Sequence, residues 1–387
     1  MVTLDALGLC YHCQESIMNP GLATRIIEVL EDVFVGTEPA ATTASVQDLS
    51  FIKLASDGSM RQIIRVLSQG EPLCIGIVPG DNGYTARAEA LSAYKLGDHL
   101  YRNSISVPKI CGYSERSGLI LFEDCGNLRL YDCLIADRNR ALLYYRQVVT
   151  ELVALQIRGV RDFDVSWCYD TDAYDESVMV KRESNYFYRA FWLEMLGEDA
   201  VAGLADEFAA LAGKTHRFFV PLLLHRDFQS RNIMLVDNAV KIIDYQAARL
   251  GPPGYDIASL LIDPYADLTD SEQQQLWELY LGKLAEHDGI DEQLVRDSYP
   301  YLAVQRNLQI IGAFAFLSMA RGKPFFFTYL MPALTGLDRR LHHPEFASFV
   351  LLRSTVSAAR ERFAKKYTAL AAQWGEKEER NANGRNR

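Results

Sequence analysis

The stretch from His225 to Asp244 constrains this chain more than any other. It reads "HRDFQSRN", then "IMLV" (233–236), "DNA" (237–239), "VKII" (240–243) and Asp244. The two four-residue runs are rich in aliphatic side chains, and Asp-Asn is good turn chemistry between them. The pattern predicts a β-hairpin. In a hairpin, the residue entering the first strand and the residue leaving the second lie at the same open end. Those residues are Asn232 and Asp244. A carboxamide oxygen and a carboxylate are therefore expected side by side.

Both are hard oxygen donors of the kind that hold Mg²⁺ between protein and phosphate. Asp227 stands in the loop just before Asn232, close enough to meet a substrate hydroxyl beside that metal. One base and two metal ligands form a minimal toolkit for phosphoryl transfer, where catalysis is mainly positioning and charge neutralisation. Taken singly, each residue has a plainer explanation. An Asp before a strand usually caps or faces solvent, and an Asn at a turn is usually structural. The joint spacing is what carries the functional reading.

The rest of the chain divides by pattern. Residues 21–35 place Ile26, Ile27, Leu30, Val33 and Phe34 at helical spacing, and a Thr/Ala/Pro linker (37–45) follows. Extended segments are expected at 46–55, 62–67 and 73–78, split by the turn-like "SDGSM" (56–60) and "SQGEP" (68–72). A helix is expected near 85–101, then two extended pieces at 109–113 and 118–123. After Gly126 helical patterns dominate: 138–157, 184–213, 271–287, 293–320 and 345–374. This predicts an α+β chain in four parts. They are an N-terminal helical extension (1–45), a small β-rich nucleotide-binding lobe (46–125), a larger helical lobe with the catalytic loop and substrate cleft (126–375), and a polar tail (376–387). A hinge is expected near 122–127.

Composition narrows the function classes. The net charge of −10 argues against a nucleic-acid footprint, which would be basic. It does not argue against an anionic ligand, because a metal ion brings its own charge. No stretch approaches the roughly 20 apolar residues of a membrane span, and "IIGAFAFLSMA" (310–320) reads as a buried helix. The N-terminus lacks a basic n-region, so no signal peptide is expected. Seven cysteines at irregular spacing fit reduced thiols in a cytoplasm. Cys10 and Cys13 with His12 invite a zinc reading, but no second ligand pair stands nearby, and idle or buried thiols are the simpler reading.

The sequence "HRDFQSRNIM…KIIDYQAARLGPPGYDIASLLIDPY" resembles the aminoglycoside phosphotransferase and choline-kinase branch of the protein-kinase-like superfamily. Within that branch it is most similar to bacterial kinases that phosphorylate the anomeric hydroxyl of N-acetylmuramate and N-acetylglucosamine. The resemblance implies a protein-kinase-like bilobal fold, ATP and Mg²⁺ as cofactors, and a small-molecule hydroxyl acceptor, most simply a sugar. It implies Asp227 as catalytic base, with Arg226 beside it in the catalytic loop, and Asn232 and Asp244 as metal ligands. His225 becomes scaffold rather than base. Asp256 becomes the structural aspartate that braces the catalytic loop; a plain helix-start carboxylate is an equally good reading of the same residue. Gln229 stands where a protein kinase carries lysine, and the run from Asp244 to Asp256 is short for a peptide-docking segment. Both departures fit a small acceptor.

The nucleotide side matches more loosely. Gly58 and Ser59 lie where a phosphate-covering loop belongs, and with one glycine there Arg61 is a candidate to help; an ordinary hairpin turn is the alternative. The third strand, "PLCIGIVPG" (72–80), lacks the lysine that contacts the α/β-phosphates. Glu89 resembles that lysine's acidic partner, or is a solvated helix residue. Adenine is expected against backbone groups around Glu123 to Cys125. On the acceptor side, Asp263 and Asn307 offer polar contacts to a neutral sugar, Tyr265 offers a stacking ring or a core residue, and "DTDAYDE" (170–176) reads as a solvated acidic loop. Two other functions fit the same residues. One is phosphorylation of an aminoglycoside, choline or a homoserine-type alcohol. The other is a catalytically silent kinase-like binding module, motivated by the missing lysine.

Overall fold

The computed structural model describes residues 20–34, 49–55, 61–81 and 83–384. Gly58, Ser59 and the Cys10–Cys13 pair lie outside the described residues. The helices are α1 (Pro20–Phe34), α2 (Tyr84–Arg102), α3 (Leu130–Ala136), α4 (Arg138–Gly159), α5 (Glu176–Met179), α6 (Leu204–His216), α7 (Gly254–Leu261), α8 (Asp270–Leu284), α9 (Glu292–Met319), α10 (Leu330–Leu341) and α11 (Val350–Gly384). The strands are β1 (Leu49–Leu54), β2 (Gln62–Ser68), β3 (Glu71–Val78), β4 (Ile110–Ser114), β5 (Leu119–Phe122), β6 (Leu222–Leu224), β7 (Ile233–Val236), β8 (Ala239–Ile242) and β9 (Arg249–Gly251).

The chain forms two compact units. The first takes the residues up to Asp172 together with Leu222–Leu250 and Glu278–His287. The second takes Ala173–Pro221, Gly251–Trp277 and Asp288 onward.

In the first unit five strands form an antiparallel sheet in the order β1-β2-β3-β5-β4. Leu22, Ile26, Val29 and Leu30 of α1 recur at helical spacing and so make one apolar face. That face packs on Ile64, Val66, Cys74, Val78, Leu119 and Leu121 of the sheet. The N-terminal helix is thus part of the sheet's core. The same unit holds the predicted hairpin: β7 and β8 pair from Ile233↔Ile242 to Val236↔Ala239. Asp237 and Asn238 both have positive φ, 48° and 65°, which is the two-residue type I′ turn that suits the twist of the strands.

The second unit is helical and built around α9, whose buried face includes Gln305, Arg306 and Asn307. Buried polar side chains need partners. Ser184 Oγ donates to Gln305 Oε1 at 3.1 Å, and Arg306 Nη1 donates to Gln309 Oε1 at 2.7 Å. The expected continuous helix at 184–213 is instead two. A segment with π-helical turns ends at Met195, and α6 begins at Leu204. Gly197 (φ 65°) and Gly203 (φ 83°) take the left-handed backbone that stops one helix and starts the other. Among the described residues the five cysteines 74, 111, 125, 133 and 168 are free thiols. No helix there is long and apolar enough to cross a membrane.

Candidate active site

The loop predicted to carry the chemistry lies between β6 and β7. His225 is fully buried and joins two parts of the site. The backbone N–H of Asp227 donates to His225 Nδ1 at 3.3 Å, so Nδ1 carries no proton there. The proton sits on Nε2, which donates to the carbonyl of Ile243 at 2.9 Å. Ile243 in turn donates its N–H to the carbonyl of Asn232 at 3.0 Å. The backbones entering β7 and leaving β8 are therefore tied to each other and to the loop, as the hairpin argument requires.

Asn232 Nδ2 donates to Asp227 twice, to its carbonyl at 2.9 Å and its Oδ2 at 3.2 Å. Both partners are acceptors, so the amide must present its nitrogen to them and its oxygen elsewhere. Gln229, at the position of the absent lysine, donates Nε2 to Asp227 Oδ2 at 3.2 Å. Two neutral donors thus converge on one oxygen of the candidate base.

Asp244 stands at the exit of the hairpin with a left-handed backbone (φ 69°). Its Oδ1 accepts Arg61 Nη2 at 2.9 Å and Gln246 Nε2 at 3.1 Å. Burial pushes this carboxyl up. The Arg61 guanidinium and the two hydrogen bonds outweigh that and hold it below the usual carboxylate range. An ionised carboxylate and an outward amide oxygen suit a hard divalent cation, which takes its remaining ligands from water and phosphate. Among the described residues no group of three or more His, Cys, Asp or Glu is arranged to hold a metal.

Arg61 also reaches Glu89, Nη1 to Oε1 at 3.6 Å. The acidic residue on α2 without a lysine has an arginine partner instead. α2 is fastened to the segment after Asp244. Ser92 Oγ donates to the carbonyl of Gln246 at 2.8 Å, and both side chains are buried. Tyr245 packs against Gly97, where an added Cβ would lie 2.3 Å from its Oη.

The segment expected to meet adenine is braced from both sides. Arg65 of β2 donates Nε to Asp124 Oδ2 at 2.5 Å, Nη1 to Asn127 Oδ1 at 2.7 Å and Nη2 to the Gly126 carbonyl at 2.9 Å. Lys241 pairs with Glu123 at 2.8 Å. The Glu123 N–H is engaged by the carbonyl of Lys109 at 2.8 Å. The Cys125 side chain is buried, and burial pushes its thiol up to about 12.

The acidic loop is not simply solvated. Asp170 pairs with the buried Arg249 at 3.1 Å, and Thr171 accepts a second bond from that guanidinium. Asp175 caps α5. In the second unit, Asp256 lies in the first turn of α7 and is fully buried. Asp263 and Asn307 line one pocket of about 330 Å³, with Thr269, Asp270, Arg339 and Arg340. Asn307 is held from both ends, donating to the Ala333 carbonyl at 3.0 Å and accepting from Arg340 Nη1 at 2.9 Å. Tyr265 is a core residue, packed against Tyr329, Phe314 and Phe325 with ring centroids 4.7, 5.3 and 5.8 Å away.

Gln246, Ser92, Arg65 and Lys241 were not visible as site residues in the sequence. Most of their partners lie 59 to 154 residues away, so no local pattern marks them.

Residues 53–292 match the model of the phosphotransferase enzyme family, more than half of the chain. A curated N-acetylmuramate/N-acetylglucosamine kinase of Neisseria meningitidis is 28% identical over 306 residues, covering 73% of this chain and 84% of that protein. One of the same description from Pseudomonas aeruginosa is 27% identical over 305 residues, covering 73% and 83%. The choline kinase structure from Cryptosporidium parvum superposes with a TM-score of 0.58 at 13% identity, covering 86% of this chain and 99% of that one. That likeness carries the fold, which is protein-kinase-like: an antiparallel sheet followed by a mainly helical remainder. On this sequence match, this fold and this loop, the chain belongs to the phosphotransferase enzyme family and is a small-molecule kinase that transfers phosphate to a hydroxyl.

Proposed function

We propose that this enzyme transfers the γ-phosphate of ATP to a hydroxyl of an amino sugar or related cell-wall sugar, with Mg²⁺ and with Asp227 as base. The observation that carries the reading is the network joining Asp227, Asn232 and Asp244 through His225 and Ile243. The sugar acceptor is supported by the kinases of N-acetylmuramate and N-acetylglucosamine among its relatives.

Asn232 and Asp244 would hold Mg²⁺, which supplies positive charge against the phosphate oxygens when bound. Asp227 takes the proton of the acceptor hydroxyl as its oxygen bonds to phosphorus and the bond to the leaving oxygen breaks. His225 holds Asp227 in place. Asn232 and Gln229 fix the orientation of its carboxylate. Arg226 belongs to the same loop, and Asp256 serves as a buried structural carboxylate at the start of α7. The nucleotide is held in the 46–125 region by Gly58, Ser59, Arg61 and Glu89 on the phosphate side. Glu123 and Cys125 serve the adenine side. With the Glu123 N–H already engaged by Lys109, adenine would meet other backbone groups of the 123–125 segment. Asp263 and Asn307 belong to the acceptor side, in the helical region 126–375. Cytoplasmic supply of ATP is part of the reading.

The test is an acceptor screen by ADP release, with N-acetylmuramate, N-acetylglucosamine, choline and a kanamycin-like amine, followed by phosphorus NMR of the product. Phosphate on an amino sugar supports the proposal. Turnover of choline or the aminoglycoside alone replaces the acceptor. No turnover, with nucleotide binding that ignores Mg²⁺, points to the silent module.

A further inference from the structure

We infer that Arg61 does the work of the missing strand lysine, and that it occupies Asp244 until Mg²⁺ displaces it. The inference rests on the reading that Asp244 holds the metal and that ATP is the donor.

The third strand offers no cation between Pro72 and Gly80. Arg61 supplies one from the neighbouring strand. It directly precedes Gln62, which pairs with Val78 at the end of β3, so the guanidinium enters from beside the place where the strand lysine would stand. Its planar fork has two ends. Nη1 faces Glu89 at 3.6 Å and Nη2 faces Asp244 at 2.9 Å. The helix that carries Glu89 is fixed to the Asp244 segment through Ser92–Gln246 and Gly97–Tyr245. One cation is therefore held by two carboxylates on a single rigid seam.

Only one of those carboxylates is a metal ligand in this reading. A divalent ion on Asp244 competes with the guanidinium for Oδ1 and repels it at short range. Glu89 remains as the tether. The Nη2 end would then be free to meet a phosphate oxygen of bound ATP. A charge-assisted bond from arginine to phosphate replaces the one to Asp244. Arg61 acts as a placeholder before metal and nucleotide arrive and as a phosphate ligand after.

The two roles predict opposite effects of one substitution, which a merely structural residue would not give. In Arg61→Ala, Mn²⁺ binding without nucleotide, read from the EPR signal of the free ion, should tighten about fivefold or more. Affinity for ATP with Mg²⁺, by calorimetry, should fall about ten- to a hundredfold, with adenosine affinity unchanged. Arg61→Lys should recover most of the ATP affinity, and thermal melts of both variants verify the fold. Unchanged or weaker Mn²⁺ binding in Arg61→Ala, or unchanged ATP affinity, overturns the inference while leaving the kinase reading intact. A wild-type protein that binds no ATP with Mg²⁺ overturns both.

Discussion

His225 holds Asp227 by its backbone and not by its carboxylate: the Asp227 N–H donates to Nδ1 at 3.3 Å, and Nε2 is committed to Ile243. With both nitrogens occupied, the imidazole is a poor base and a good clamp. His225→Gln should lower kcat about ten- to a hundredfold, as losses of such supporting bonds do. KM for ATP should hardly change, and the pH profile of kcat should keep its shape. A lost acidic limb in that profile would reassign the base to His225.

Asp227→Asn keeps the size of the side chain and removes the base. Turnover should fall by about 10²–10⁴, while ATP affinity by calorimetry stays near wild type. Wild-type turnover in this variant would exclude Asp227 from proton transfer.

Gly97→Ala adds one carbon where the nearest atoms are the rigid phenol of Tyr245, at 2.3 Å, and Ile110, at 2.8 Å. The Tyr245 ring is buried and rigid and cannot swing aside. Overpacking of this kind costs about 1–3 kcal/mol. A lower Tm should accompany a loss of kcat, because α2 must move away from the Asp244 segment. Paired measurements of both in Gly97→Ala test the link. A lower Tm with full kcat would break it.

Acid sensitivity follows from Asp244. Its carboxyl is held below the usual range, so its contribution to stability is complete above the ordinary carboxylate value near ~3.9. It is lost as pH falls through the lower folded-state value. Arg61→Ala removes the main opposition to burial, which pushes this carboxyl up. The acid unfolding midpoint of Arg61→Ala should move to higher pH than that of the wild type, by circular dichroism. An unmoved midpoint would mean that Arg61 does not govern the Asp244 charge.

Arg65 is buried with Asp124, and truncating it strands that carboxylate. Arg65→Ala should cost about 3 kcal/mol in urea unfolding. It should also weaken adenosine binding, because the 123–127 segment loses its brace. Full stability in this variant would place Arg65 outside that role.

Much of this site was legible because it is local. Asp227, Asn232 and Asp244 lie within eighteen residues, and a type I′ turn at Asp237-Asn238 sets their register. The strands and α2 were legible through alternation and helical spacing. The second half of the site was not. Arg61 meets Asp244 across 183 positions, and nothing in either neighbourhood announces it. The break between Met195 and Leu204 was hidden because its two glycines sit inside an otherwise helical pattern. Tyr265 showed the reverse difficulty. Tyr suits a sugar site as well as a core, and only packing reveals that Tyr265 is core; Asn307 stays at its pocket, its amide held by Ala333 and Arg340.

The seam between α2 and Tyr245 bears on how such an enzyme is governed. Kinases that are switched on and off do so by swinging this helix away from the catalytic centre. Here the swing would strip Ser92 from Gln246 and open a void over Gly97. In the folded chain α2 is therefore fixed to the segment after Asp244. An on–off swing of this helix would have to break that seam first.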